Sequence, residues 1–257
     1  TRRSSDLFVR WFAALAAGFA QNGAQVSAAL TALTEKVFVT SRLFAGYSGA
    51  LDAGVLARLI AALPQGAPGA TAAHKRYDAA ACAVEIPADV GFCALGHNLY
   101  ALGSSYSGAC PVLSSLVSYG YLWNMVRVQG GAYGTGMNVR RSGDIFCYSY
   151  RDPNLDNTRA VFSNVADFIE DFAAQGMPLD DIIIGAVNTT DPLLDPAGVC
   201  ESQCVRALKG VTPEELAKTR HELLATKPAD LAAMAGVLRK YAREGKFCTF
   251  SGTNGGA

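Results

Sequence analysis

The chain has 257 residues, of which 50% are apolar and 17% charged; this excludes a disordered or fibrous protein and leaves room for one large globular domain or two smaller ones. Lys+Arg and Asp+Glu balance at 22 each, so bulk charge gives no reason to expect nucleic acid or an anionic membrane as a partner. The longest apolar stretches are interrupted by Asp52, Arg58 or glycines before they reach the roughly 20 residues that a spanning helix needs.

In chain order, the opening TRRSSDLFVRWFAALAAGFA has no starting Met, and Asp6, Arg10 and Trp11 interrupt a signal-peptide pattern. The chain is therefore expected to begin inside a longer protein. Leu7, Trp11, Leu15, Val26, Leu30 and Leu33 recur at near-helical intervals over residues 4–35, around a predicted break at Gln21-Asn22-Gly23. Lys36 to Ala45 is rich in β-branched and aromatic residues and predicts a strand, followed by a helix from Asp52 to Leu63. The Pro- and Gly-rich stretch from Pro64 to Ala73 predicts a linker, and a boundary is placed there.

Two strands are predicted over 79–87 and 90–99, then a helix from Gly108 to Val128. Its apolar row is Val112, Leu116, Tyr119, Trp123 and Val126, with Leu113 and Val117 alongside. Ala132–Arg141 and Asp144–Tyr150 form a predicted hairpin around Ser142-Gly143, ended by Asp152-Pro153-Asn154. Val161, Val165, Phe168, Ile169 and Phe172 mark the core face of a long helix. Thr212-Pro213-Glu214-Glu215 is a helix start, combining a capping hydroxyl, a proline and a returning carboxylate. A last helix over 229–244 leads into a terminal strand from Lys246 to Ser251. Strands grouped in hairpins and helices grouped together predict an α+β fold, an antiparallel sheet with helices packed on one face.

Seven cysteines, an odd number without a C-x-x-C pair, suggest reduced thiols in a cytosol-like compartment. Cys200 and Cys204 are four apart but lack a His or acidic partner at metal-site spacing, so they are expected to be ordinary helix residues. The surroundings of His74, His97 and His221 contain neither H-E-x-x-H nor H-x-x-E-H, and no metal site is expected in this chain. No G-x-S-x-G elbow exists.

The stretch RVQGGAYGTG, from Arg127 to Gly136, is the most informative segment. Its glycines follow a predicted helix and enter a strand, the reverse of a dinucleotide fingerprint, which excludes a phosphate loop. Gly130 or Gly131 can end the helix in a left-handed conformation, with Arg127 complementing the helix dipole. Tyr133, with glycines at 134 and 136, is not explained by a helix stop, because glycine inside a strand marks a bulge or a close backbone approach.

YLWNMVRVQGGAYGTGM at 121–137, followed by SGDIFCYSYRDPN at 142–154, resembles the C-terminal half of insulinase/pitrilysin-type zinc metallopeptidases, presequence-protease branch. The resemblance implies that 79–257 is the last peptidase-like domain, that 64–78 is a linker, and that 1–63 is the end of a preceding, related domain. It also implies four such domains in two halves closing around a peptide chamber, with zinc held by the N-terminal half. Arg127 and Tyr133 correspond to the arginine and tyrosine that bind substrate and stabilise the oxyanion, while Gly130, Gly131 and Gly134 would let the backbone pass close to substrate.

Arg151 and Asp152 have a weaker case, between a local ion pair and a substrate contact. The expected partners are the zinc-bearing N-terminal half and unstructured peptides, with no nucleic acid and no membrane; the expected setting is cytoplasmic or an organelle matrix. No zinc and no peptidase activity are expected of this chain alone. The alternative is a catalytically silent relative acting as a peptide-binding or assembly subunit.

Overall fold

A computed structural model describes residues 5–50, 52–66 and 80–252, with side chains from Trp11 onward. His74 and most of the predicted linker lie outside the described residues. Two compact units divide the chain: Ala79–Leu193 with Pro213–Ala257, and Ser4–Asp78 with Leu194–Thr212.

The first unit contains a five-stranded sheet of order β1-β5-β2-β4-β3, formed by β1 (Cys82–Glu85), β2 (Gly91–Asn98), β3 (Gly134–Val139), β4 (Asp144–Asp152) and β5 (Lys246–Ser251). β2 to β5 pair antiparallel, and the short β1 joins β5 in parallel at the edge. The terminal strand thus inserts between the first two. Alternation fixes the two faces: Ile145 and Cys147 of β4, Cys93 and Leu95 of β2, and Met137 and Val139 of β3 are buried. The β3–β4 hairpin turns at Gly143, whose φ of 92° suits glycine.

All helices of this unit serve the buried face. α4 (Ala109–Ser115) continues into a π-helix over Leu116–Val128; α5 (Leu155–Ser163) and α6 (Val165–Ala174) follow the hairpin. Then come α7 (Asp180–Thr190), α9 (Pro213–Leu224), α10 (Pro228–Ala232) and α11 (Ala235–Glu244). The core joins Leu113, Leu116, Leu122 and Val126 to Phe162, Ile169, Leu238 and Tyr241. Tyr241 is fully buried; its hydroxyl donates to the Leu95 carbonyl at 2.7 Å and accepts from the Cys147 amide at 2.9 Å, tying α11 to β2 and β4. The helix predicted over the Val161–Phe172 face is two helices meeting at Asn164, and the last predicted helix is also two, α10 and α11.

In the second unit α1 (Ser5–Ala17) and α2 (Phe19–Val37) meet at Gly18, while α2 runs unbroken through Gln21-Asn22-Gly23. The predicted break is therefore misplaced. α3 (Ala53–Ala62) starts where Asp52 caps the Gly54 amide at 2.8 Å. The strand predicted from Lys36 to Ala45 does not form: α2 extends to Val37 and a 3₁₀ turn covers Thr40–Arg42. β-propensity expresses packing on a neighbouring strand; this segment's backbone hydrogen bonds are local turns, apart from one among the described residues to a distant segment, from the Thr40 amide to the Pro64 carbonyl at 3.0 Å. α8 (Pro196–Leu208) completes the unit, capped by Asp195 through the Gly198 amide at 2.8 Å.

Candidate functional site

The helix leading into the glycine cluster departs from α-geometry. From Leu116 to Val128 it is a π-helix, a form rare beyond one turn and often found at functional sites. The wider winding changes which residues meet the core. Leu116, Val117, Leu122 and Val126 are buried, whereas Tyr119 and Trp123 are 69% and 40% exposed. The predicted apolar row therefore fails at those two positions. They form instead an outward ladder with the candidate arginine. The Tyr119 and Trp123 ring centroids are 6.4 Å apart, and the Arg127 guanidinium lies 3.9 Å from the Trp123 ring centroid. That is a cation–π contact which fixes the guanidinium.

The helix stops in the way sterics require. The Gln129 amide closes on Asn124 at 2.9 Å, the Gly131 amide on Arg127 at 3.0 Å and the Ala132 amide on Val126 at 3.1 Å. Gly131 has φ 81°, and a Cβ on Gly130 would lie 2.6 Å from the Val126 carbonyl oxygen. Both glycines are thus accounted for by the turn. Gly134 differs: a Cβ there would meet nothing within 4 Å, so no close packing inside this chain demands its smallness.

Tyr133 follows the turn. Its amide donates to the Tyr150 carbonyl at 3.1 Å and its ring meets the Tyr150 ring edge-on at 5.8 Å. The side chain is 66% exposed, and no hydrogen bond among the described residues engages its hydroxyl. No contact among the described residues joins it to the Arg127 side chain; the two are held separately, by Tyr150 and by Trp123.

Arg151 is exposed with φ 50°, a left-handed conformation uncommon for a residue with a side chain. The ion pair considered for Arg151 and Asp152 is not formed. Asp152 is buried and accepts from the Thr158 hydroxyl at 2.6 Å and the Asn154 amide at 2.8 Å, anchoring the turn into α5.

The sheet face opposite the helices is open. Phe92, Phe146, Tyr148, Tyr150 and Phe250 occupy its alternate positions, and Phe92 and Tyr150 pack edge-on at 5.3 Å. Tyr133 extends that file. Gly134 and Gly136 stand in register with Tyr150 and Tyr148, and the Tyr148 hydroxyl would be only 3.0 Å from a Cβ on Gly136. The outer edge of β3 is not a free pairing template over its last half. The Met137 amide donates to the Ser118 hydroxyl at 2.8 Å, and the Val139 amide to the Ser114 hydroxyl at 3.0 Å.

The described residues contain no group of three or more His, Cys, Asp or Glu able to hold a metal. His97 uses Nδ1 to accept its neighbour Asn98's amide at 2.8 Å, and His221 is exposed on α9. Burial pushes the Cys93 and Cys147 thiols up to about 12, which makes both poor nucleophiles. Among the described residues no helix is long and apolar enough to cross a membrane. Sequence patterning missed Trp123, Tyr148 and Tyr150 as site components; the i to i+4 spacing of Trp123 and Arg127, and the even positions of β4, were the available signals.

Residues 82–250 match the family described as the PreP C-terminal domain. Protein HypA of Clostridium perfringens is 32% identical over 160 residues, covering 62% of this chain and 16% of that protein. Presequence protease 1, chloroplastic/mitochondrial, of Arabidopsis thaliana is 34% identical over 154 residues, covering 60% and 14%. The chain thus spans only about a sixth of the length of such relatives. Among solved structures, a peptidase M16 inactive domain from Pseudomonas fluorescens aligns with TM-score 0.54 at 13% identity, covering 79% of this chain and 51% of that one. A protease from Helicobacter pylori aligns at 0.52 and 12%, covering 79% and 54%. The α+β fold with helices on one face of the sheet is therefore shared with these peptidase structures, and the chain belongs to the PreP C-terminal domain family.

Proposed function

We propose that this chain is the non-catalytic C-terminal part of a zinc metalloendopeptidase that degrades unstructured oligopeptides. The observation that carries the proposal is the open aromatic face of the sheet, with the exposed Tyr133 phenol at its margin and the Arg127 guanidinium fixed on Trp123 where the preceding helix ends. An apolar, partly hydroxylated wall suits extended peptide side chains of many kinds. A phenol O–H and a guanidinium suit the oxygen of a carbonyl under attack.

The described residues contain no group that would hold zinc, and in this reading the metal and the general base belong to an N-terminal half. Tyr133 would donate its hydroxyl proton in a hydrogen bond to the carbonyl oxygen, and Arg127 would offset the charge developing there. Gly134, unhindered from within the chain, would leave space for substrate backbone, and Arg151 would offer a second cation to the peptide.

The same reading makes residues 1–63 the end of a preceding, related domain and 79–257 the last domain. It is supported by the exposure of the apolar faces of α2 and α3, neither of which has a buried residue. The expected setting is the cytoplasm or an organelle matrix, and the partners are the N-terminal half and peptides.

The test is reconstitution: this chain is mixed with its N-terminal half, and hydrolysis of a labelled unstructured peptide is followed. Activity that requires both parts supports the proposal. Hydrolysis by this chain alone, or stoichiometric zinc bound to it, overturns it. A silent assembly subunit, as the inactive-domain neighbour suggests, would bind its partner without adding to turnover, and unchanged activity of Arg127→Ala in the reconstituted enzyme would favour that second reading.

A further inference from the structure

The Sγ atoms of Cys82 and Cys248 are 2.7 Å apart. They belong to residues paired in register across the parallel strands β1 and β5, where neighbouring strands lie about 4.8 Å apart, within the Cα separation a disulfide spans. In-register residues of neighbouring strands project to the same side, and Cys248 is also in register with Ala94, itself opposite Tyr148. The pair therefore lies on the open face of the sheet. Both residues are half-buried, reachable by a small thiol reagent but removed from bulk solvent. Among the described residues β1 is an edge strand that pairs with β5 alone.

We propose that Cys82 and Cys248 form a reversible two-electron dithiol site, oxidised by low-molecular-weight disulfides such as oxidised glutathione, that locks edge strand β1 onto the terminal strand. The step balances without a metal. One cysteine, as thiolate, attacks a sulfur of the small disulfide and forms a mixed disulfide, releasing one small thiolate that takes up the proton lost from that cysteine. The second cysteine, already in contact, gives up its proton and attacks the protein-side sulfur, releasing the other small thiol. Two protein thiols are oxidised, and one disulfide is reduced to two thiols.

Position assigns the first attack to Cys82 on the outer strand. Burial pushes the Cys248 thiol up to about 12, so it suits the second, intramolecular step, in which the proximity of the mixed disulfide offsets the small thiolate fraction. The other cysteines do not compete in this unit: Cys93, Cys110 and Cys147 are buried, and Cys200 and Cys204 lie on α8. The bond would close a loop between positions 166 apart, and a cross-link of that span restricts the unfolded chain strongly. The inference does not rest on the peptidase reading.

The test is equilibration of the full chain in glutathione buffers of increasing oxidised fraction, followed by alkylation, non-reducing peptide mapping and thermal melting. Expected is a cross-linked peptide pair containing Cys82 and Cys248, two hydrogens lighter than the reduced pair. The melting temperature should rise by several degrees and return to its starting value with reductant. Cys82→Ser and Cys248→Ala should each melt like the reduced protein and lose the oxidant-dependent shift. Persistent glutathione adducts without the cross-link, a link confined to Cys200 and Cys204, or an undiminished shift in Cys82→Ser would each overturn the proposal.

Discussion

Arg127 and Tyr133 owe their positions to neighbours that carry no reactive group. Trp123 sets the guanidinium by a cation–π contact worth about 0.5 to 1 kcal/mol at an exposed site. In the reconstituted enzyme Trp123→Ala should lower kcat/KM roughly two- to fivefold on that scale, and Trp123→Phe should recover much of the loss by restoring a ring. Under the proposed function Tyr133→Phe removes the hydrogen-bond donor to the oxyanion, and a loss of about 100- to 1000-fold in kcat is expected with zinc content unchanged. Steady-state kinetics with metal analysis separate the two effects; equal losses in Trp123→Ala and Tyr133→Phe would argue against a merely positioning ring.

Tyr241 is the structural counterpart, a hydroxyl buried to satisfy two strand backbone groups. Tyr241→Phe should cost about 1 to 3 kcal/mol, since a buried carbonyl and amide lose their partner, and denaturant titration measures it.

At the level of elements, α6 and α11 are joined on the surface by Arg239, which donates to Glu170 Oε1 at 2.7 Å and to Asp167 Oδ1 at 3.1 Å. The hydrogen bond from Arg239 holds the Glu170 carboxyl below its ordinary value of 4.5. A depressed carboxylate contributes stability that is complete above its unfolded value and is lost as pH falls through the folded one. Arg239→Ala should therefore melt slightly lower than the parent at pH 7, with a difference that closes as pH drops below 4.5. Paired thermal melts over pH 3 to 7 check this (about four units, spanning the carboxylate range). The exposure of the pair keeps the effect small.

The helix entering the glycine turn shows a different balance. α4 and the π-helix that continues it place Ser114 and Ser118 against the β3 backbone, and the π-wound part turns Tyr119 and Trp123 outward, so one continuous helix both seals a sheet edge and presents the ladder that ends at Arg127.

Over the whole molecule, the two units differ in what they bury. The sheet unit has a continuous core, whereas in the described side chains from residue 11 to residue 66 only Val39 is buried among the apolar residues. A peptide of residues 1–66 should therefore show helical signal without a cooperative melt, because short helices without tertiary packing are marginal. Circular dichroism over temperature is sufficient to check it, and a sharp transition would show that these helices make a core of their own.

Local rules made much of this legible. Alternation, a glycine turn and an aspartate-proline stop located the β3–β4 hairpin, and TPEE located the start of α9. The order of helix, glycines and strand is enough to exclude a phosphate loop, and the segments around RVQGGAYGTG and SYRDPN point to the family from sequence alone.

What those rules could not reach was any feature made by distant segments. The β-branched run from Lys36 found no strand to pair with, so its propensity was not expressed. A 3.6-residue period placed Tyr119 and Trp123 in the core, but the helix adopts a wider period. β5 enters between β1 and β2, and that insertion alone brings Cys82 beside Cys248. Sequence determined which residues prefer burial, where the chain turns and which family it belongs to, because those follow from neighbours a few positions apart. Tertiary structure decided which face of the sheet stays open, which side chains hold Arg127 and Tyr133, and which thiols meet, because each of these depends on which distant segments pack together.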